Sequence, residues 1–136
     1  MSRLLAPFLV LHGAIHIGYI CGPAWPFTTA DPWLVTLFGA DPGAVRAIGI
    51  ALALVAFFAF LLAGVSAGFA PSIWPLVLPV AAAASAVVLI LFVTPWTLPG
   101  LAIDAVLLFA TFARGWRPTP YTAGRRVSST GQAPAR

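Results

Sequence analysis

Charged side chains are scarce in this chain, and two of the four usual types are missing. Its 136 residues include no Lys and no Glu, and the seven Arg and three Asp make up only 7% of the sequence. A soluble domain is normally about 25% charged, whereas 61% of this chain is hydrophobic and its mean hydropathy is +1.02. The composition therefore excludes a disordered chain, a nucleic-acid-binding arm and an ordinary cytoplasmic enzyme.

Cysteine is almost absent as well. Cys21 is the single cysteine, so the chain can form neither an internal disulfide nor a Cys-based metal knuckle. The pI of about 10.7 is typical of nucleic-acid binding, but four of the seven Arg follow Gly115. The basic charge therefore belongs to a tail rather than to a folded surface, and we expect no nucleic-acid partner.

Four apolar runs are candidates for membrane crossings, each of which needs about 20 residues. They are residues 4–21, 44–65, 72–92 and 98–113. In lipid every backbone N–H and C=O must bond within the protein, so a helix or a closed barrel is required, and these runs lack the alternation typical of a barrel. The sequence predicts an all-α integral membrane protein, with a four-helix bundle in residues 1–117.

The Arg residues also predict an orientation. Arg3 precedes the first segment, and five more Arg stand at or after the end of the fourth. Because short cytoplasmic flanks are rich in Arg and Lys, both termini are predicted to be cytoplasmic, in a multi-pass protein of the cytoplasmic membrane. The long loop 22–43 then faces outward, and Asp31-Pro32 followed by Trp33 predicts a short interfacial helix within it.

The C-terminal residues 118–136 are rich in Pro, Gly, Ser, Thr and Arg. Such a composition cannot form a packed core, so this segment is predicted to be a disordered basic tail, held near anionic lipid by its Arg side chains. The use of Arg without Lys, together with the high Ala content, indicates a GC-rich bacterial genome.

Ionisable side chains inside apolar spans are costly and are candidates for functional sites. The predicted segments contain four: His12, His16, Arg46 and Asp104. At a rise of about 1.5 Å per residue, His16 and Asp104 share a level about 8–9 Å below the outer boundary. His12 lies one turn deeper on the same helix face, Tyr19 extends that face outward, and Arg46 lies above. The sequence predicts a polar cluster that opens outward.

Three interpretations of this cluster remain open. His16 and Asp104, with Arg46, could hydrogen-bond across helices to hold the bundle together. His12, His16 and Asp104 could instead form a His₂Asp site for a divalent metal such as Zn²⁺ or Fe²⁺, although no HExxH motif supplies a general base for hydrolysis. Finally, the imidazoles could ligate haem or hydrogen-bond a quinone.

Small residues predict where the helices approach one another. Gly13 and Ala14 permit close contact on the first helix, the Ala81–Ala84 run does so on the third, and Gly64 with Gly68 forms a GxxxG pattern on the second. Serines within apolar helices usually bond to their own backbone. That behaviour, rather than nucleophilic catalysis, is predicted for the three candidates Ser66, Ser72 and Ser85.

Residues 11–18, Leu-His-Gly-Ala-Ile-His-Ile-Gly, resemble a stretch of the form HGxIHxxG in the first helix of a group of small bacterial four-helix membrane proteins of unassigned function. Those proteins end with a helix that carries a polar residue among Ile and Leu, matched here by Asp104 in residues 103–108. The resemblance implies the four-helix topology and draws attention to His12, Gly13, His16 and Asp104. It implies no reaction.

The sequence contains no nucleotide-binding loop, no Cys pair and no Ser-His-Asp arrangement in an activating context. We therefore expect a non-enzymatic accessory protein or complex subunit, whose partners are the lipid bilayer and either itself or another membrane protein. The alternative is a redox or metal-handling membrane protein that binds metal, haem or quinone through His12, His16 and Asp104.

Overall fold

The computed structural model describes residues 2–21 and 32–115. These residues are about 85% helical and contain no strand, which confirms the all-α prediction for the part of the chain described. Their five helices are α1 (Ser2–Cys21), α2 (Trp33–Phe38), α3 (Pro42–Phe69), α4 (Trp74–Leu91) and α5 (Leu98–Arg114). The predicted basic tail, residues 118–136, and the predicted helix cap at Asp31 lie outside the described residues.

Helix α3 is longer than the predicted segment 44–65, with 28 residues. It begins earlier because the Asp41 carboxylate accepts a hydrogen bond from the backbone N–H of Ala44 at 2.7 Å and Pro42 occupies the first helical turn, which are both favourable starts for a helix. It ends at Phe69 because Pro71 disfavours helical geometry at Ala70.

Three helices are long and apolar enough to cross a membrane: Leu4–Cys21 within α1, Pro42–Phe69 and Trp74–Leu91. Their length and composition indicate a membrane protein. Helix α5 has 17 residues and is therefore about 25 Å long, somewhat shorter than the roughly 30 Å hydrocarbon core of a bilayer. Among the four long helices in the described residues, α5 is therefore the one that is not long enough to be a candidate crossing.

The long helices pack in chain order: α1 against α3, α3 against α4, and α4 against α5. Two apolar clusters lie along their length. The Trp74 core contains Leu9, Phe60, Ala63, Ala67, Trp74, Leu78, Ala81, Ala82 and Leu107. The Tyr19 core contains Tyr19, Val45, Ala53, Val88, Leu89 and Phe92. The end of α1, the start of α3 and the end of α4 therefore meet at one end of the molecule, which we term the α2 end.

Helix α2 lies at this end, so the predicted short helix is confirmed. The indole N–H of Trp33 donates to the carbonyl of Ile90 at 2.9 Å, and Leu34 and Val35 pack against the Tyr19 core. The helix stops at Gly39, whose φ of 65° is a left-handed conformation that favours glycine. The residue before the helix is Pro32, which makes no side-chain cap.

Glycines set the close approach of α1 to α3. A Cβ atom added to Gly13 would lie 2.7 Å from the Cβ of Phe60, and one added to Gly64 would lie 2.8 Å from Cγ2 of Val10. A Cβ on Gly68 would meet nothing within 4 Å. Gly13 and Gly64 therefore allow the two backbones to approach closely, whereas Gly68 of the predicted GxxxG pattern lies in open space.

We expect Gly13→Ala to destabilise the protein by about 1–3 kcal/mol, because the added methyl group overpacks a helix contact that has no room for it. The matched control is Gly68→Ala, which should be neutral or gain up to about 1 kcal/mol from the better helix propensity of Ala. Reversible unfolding of both variants in mixed micelles measures the difference. Equal effects at the two positions would contradict the close contact of α1 with α3.

Candidate functional site

Four polar side chains from three helices meet between the Trp74 core and the Tyr19 core. His12 and His16 come from α1, Ser85 from α4 and Asp104 from α5. We call these four residues the polar network. Asp104, Ser85 and His16 are fully buried, and His12 is 6% exposed, so the network lies inside the packed helices.

Asp104 is the centre of the network. Its Oδ1 lies 3.0 Å from Nε2 of His12, and its Oδ2 accepts a hydrogen bond from the hydroxyl of Ser85 at 2.5 Å. Oγ of Ser85 also lies 2.9 Å from Nε2 of His16. One carboxylate therefore joins α5 directly to α1 and α4, and joins His16 through the serine.

The direction of these hydrogen bonds follows from counting donors. Ser85 has one hydroxyl proton, which it donates to Asp104, so its contact with His16 requires the Nε2–H of His16 to be the donor. This assigns the His16 tautomer from its partners. The Nε2–H of His12 donates to a carboxylate Asp104 in the same way. The donors of His12 and Ser85 then point towards Asp104, as a buried carboxylate requires, and the donor of His16 points towards Ser85.

Aromatic rings fix the two imidazoles. Phe60 lies edge-on to His12, with ring centroids 4.8 Å apart, and parallel to His16 at 6.4 Å. The ring of Phe8 is also stacked on His12, with ring centroids 6.1 Å apart. The ring of Tyr19 lies edge-on to His16, with centroids 5.6 Å apart. With Gly13 set against Phe60, the rings are held in position by packing as well as by hydrogen bonds.

The structure brings together His12, His16 and Asp104, three of the five residues singled out from the sequence. Tyr19 contacts His16 through its ring and is itself buried. Arg46 lies exposed near the start of α3, and no hydrogen bond or ion pair within residues 2–21 and 32–115 joins it to the network.

The predicted depths are corrected in one respect. Equal depth suggested that His16 and Asp104 would pair, whereas the direct partner of Asp104 is His12. His16 is connected to Asp104 through Ser85, whose hydroxyl contacts both side chains. Depth along a helix axis does not include the rotation and offset of neighbouring helices, and these decide which imidazole reaches the carboxylate. Within the described residues the cluster is closed to solvent, because Asp104, His16 and Ser85 are fully buried and His12 is 6% exposed.

Ser85 is the network residue that the sequence interpretation missed. The predicted backbone bonding is found for Ser66, whose hydroxyl donates to the carbonyl of Ala63 at 3.0 Å, but it is wrong for Ser85. Ser72 lies in the turn before α4. The signal that pointed to Ser85 was its position directly after the Ala81–Ala84 run, since small residues mark the face of α4 that approaches other helices.

The predicted His₂Asp metal site does not match this geometry. Among residues 2–21 and 32–115, no three His, Cys, Asp or Glu side chains are arranged to hold a metal ion. The reason is that Nε2 of His12 bonds directly to Asp104, while the Ser85 hydroxyl stands between Asp104 and His16. The Nε2 atom of each histidine is therefore already engaged, one by Asp104 and the other by Ser85.

The arrangement also differs from a nucleophilic triad. In a Ser-His-Asp triad the histidine accepts the serine proton and the carboxylate orients the histidine. Here Ser85 donates to Asp104, and His16 donates to Ser85. With Ser85 fully buried, its hydroxyl is a link in an interhelical hydrogen-bond chain.

Comparison of the chain with protein-family models, with curated proteins and with solved structures gave no match. Functional inference therefore depends on the geometry of the network.

We expect Ser85→Ala to destabilise the protein by about 1–3 kcal/mol, because it leaves the buried Oδ2 of Asp104 and the Nε2–H of His16 without a partner. Ser66→Ala is the matched control, since Ser66 is equally buried but bonds only within its own helix. Its loss should stay within about 0.5 kcal/mol, because Ala is the better helix former. If unfolding in mixed micelles gives the two variants the same stability, Ser85 does not link the helices.

Proposed function

We propose that this chain is a small multi-pass membrane protein of the bacterial cytoplasmic membrane with a non-enzymatic role as an accessory protein or complex subunit. In this proposal the polar network is the interhelical lock that holds α1 against α4 and α5. The network gives an otherwise apolar helix assembly one defined arrangement, in which its outer surface is presented to lipid and to a partner.

The observation that carries the proposal is that the polar network bonds mainly to itself: of its buried polar atoms in the described residues, Nδ1 of His16 alone has no hydrogen-bond partner. Asp104, buried among apolar helices, receives donors from α1 and α4, and the serine that bonds it also receives a donor from His16. A site for a substrate or cofactor needs groups that remain available to the ligand. Here both carboxylate oxygens, the serine hydroxyl and both imidazole Nε2 atoms are engaged within the protein.

Binding of metal, haem or quinone through His12, His16 and Asp104 is the competing function. A site formed by both Nε2 atoms and the carboxylate would first have to break three interhelical hydrogen bonds, and Nδ1 of His16 is the one network nitrogen that the described residues leave without a hydrogen-bond partner. This cost favours the structural role over the redox or metal-handling role.

A four-crossing topology is part of the proposal. Helix α5 ends at Arg114, followed by Gly115 with φ of 55°. A long Arg side chain can extend to the membrane surface and so complete the crossing of a short helix. With four crossings both termini lie on one side, and the Arg-rich flanks assign that side to the cytoplasm.

The partner proposed is a second copy or another membrane protein. The outer face of α5 exposes Val106, Phe109 and Phe112, in keeping with a surface covered by lipid or by another helix.

The lock is tested by a double-mutant cycle of His12→Ala and Asp104→Ala. We expect a coupling energy of about 0.6–2 kcal/mol, the range of interhelical hydrogen bonds in membranes. The control cycle pairs His12→Ala with Thr111→Ala, because the Thr111 hydroxyl bonds to Leu107 on its own helix; its coupling should be near zero. Additive losses in the first cycle would contradict the lock.

The same preparations separate the two functions. Elemental analysis and absorption spectra of the purified wild-type protein should show neither a stoichiometric metal nor a Soret band. A metal or a Soret band that disappears in His16→Ala would overturn the non-enzymatic proposal in favour of the cofactor-binding one.

The topology is tested with reporter fusions at Thr29 and Gly131. A reporter that is active only outside the cytoplasm should be active at Thr29 and silent at Gly131, because four crossings return the chain to the side on which it started. Activity at Gly131 would overturn the assignment of the C-terminus to the cytoplasm.

A further inference from the structure

The α2 end of the molecule exposes large apolar side chains on two separate segments. Leu37 and Phe38 at the end of α2 are each 73% exposed, and in the turn between α4 and α5 Val93 is 50% and Trp96 is 90% exposed. We call these four residues the apolar rim. Exposed large apolar groups in such number mark a surface that is covered by something other than water.

The two segments belong to the same end of the structure. Trp33 of α2 donates its indole N–H to the carbonyl of Ile90, in the last turn of α4, and Val93 and Trp96 follow directly after that helix. Leu34 and Val35 of α2 pack on the Tyr19 core, as does Leu101 in the first turns of α5. One side of α2 therefore packs against the protein through the half-buried Leu34 and Val35, while Leu37 and Phe38 remain uncovered.

The rim carries no charge. Residues 32–40 and 92–103 contain no Asp, Glu, Lys or Arg. At the start of α3, on the same end of the molecule, the described charged residues are Asp41, which caps the helix, and Arg46, which is exposed on its second turn. A loop that projected into water would lack the polar surface to solvate itself, whereas an uncharged segment with Trp, Phe and Leu suits the boundary between headgroups and acyl chains.

We infer that the apolar rim is a lipid-binding surface, and that α2 and the α4–α5 turn lie in the headgroup–acyl boundary of the bilayer. Helix α3, which begins at the same end of the molecule, also exposes an apolar side chain there: Ile48 is 54% exposed. Trp33 and Trp96 are placed where indole rings favour the membrane interface.

In this placement α2 connects the membrane interface to the Tyr19 core. Its inner side covers the Tyr19 core, whose Tyr19 contacts His16 of the polar network, and its outer side is anchored by lipid. The membrane interface then holds α2 in place over that end of the polar network. The inference concerns the rim alone and is independent of the interhelical lock.

The test is the depth of spin labels in phosphatidylcholine vesicles. Single cysteines are introduced at Leu37 and Val93 in the full chain carrying Cys21→Ser. Ile48→Cys is the reference for the acyl chains, and the same nitroxide free in the buffer is the reference for the aqueous phase. We expect molecular oxygen to relax the labels at 37 and 93 several-fold more strongly than a water-soluble nickel chelate, and the ratio to lie between those of the two references.

Two results would overturn the inference. Labels at 37 and 93 that respond to nickel as strongly as the free nitroxide would place the rim in water. Labels that neither reagent reaches would show that protein, such as a second copy of the chain, covers the rim. Both results leave the double-mutant cycle of His12 and Asp104 unaffected, so failure of the lipid-binding inference is distinguishable from failure of the proposed function.

Discussion

The arrangement of the helices depends on the buried carboxylate of Asp104, which needs hydrogen-bond donors from other helices. A carboxylate removed from water is costly unless hydrogen-bond donors replace its hydration, and the helix that carries it offers none in its apolar surroundings. The donors come from His12 on α1 and Ser85 on α4. The requirements of one side chain thus set the positions of three helices, because moving any of them away would leave a buried oxygen unpaired.

Small residues make this arrangement possible. Gly13 stands between the two histidines and allows α1 to approach α3 until the imidazoles lie against Phe60. On α4, Ala81 and Ala82 are fully buried one turn before Ser85, so the serine face approaches its neighbours without bulky side chains in between. In lipid the helices gain little from hydrophobic burial against one another, and close packing together with hydrogen bonds has to specify the contact.

The helices and most of the network residues could be predicted from the sequence, because both differ clearly in polarity from their surroundings. Apolar runs such as 44–65 are strong signals, and His12, His16 and Asp104 stand out because ionisable groups are rare in such runs. Ser85 does not stand out, since serine is common in membrane helices and its bonding depends on how α4 is rotated. Arg46 was grouped with the network by depth alone, but it lies exposed on α3.

The pairing within the network was beyond sequence reasoning for a related reason. A rise of about 1.5 Å per residue gives depth, and by depth His16 is the natural partner of Asp104. Helix offset and side-chain reach decide the outcome instead: His12 contacts the carboxylate, and Ser85 fills the space in front of His16. The Asp41 cap, which lengthens α3, is equally hard to predict. An Asp can be identified as a cap only when the start of the helix that follows it is already known.

The most direct test of the central claim is the distance between His12 and Asp104 in a lipid bilayer, measured by solid-state NMR dipolar recoupling between ¹⁵N-labelled histidine and ¹³C-labelled aspartate. The account predicts a short contact from Nε2 of His12 to the Asp104 carboxyl group, as required by the Nε2–Oδ1 distance of 3.0 Å, and its loss in Asp104→Ala. Absence of coupling between His12 and Asp104 in the folded wild-type protein would contradict it.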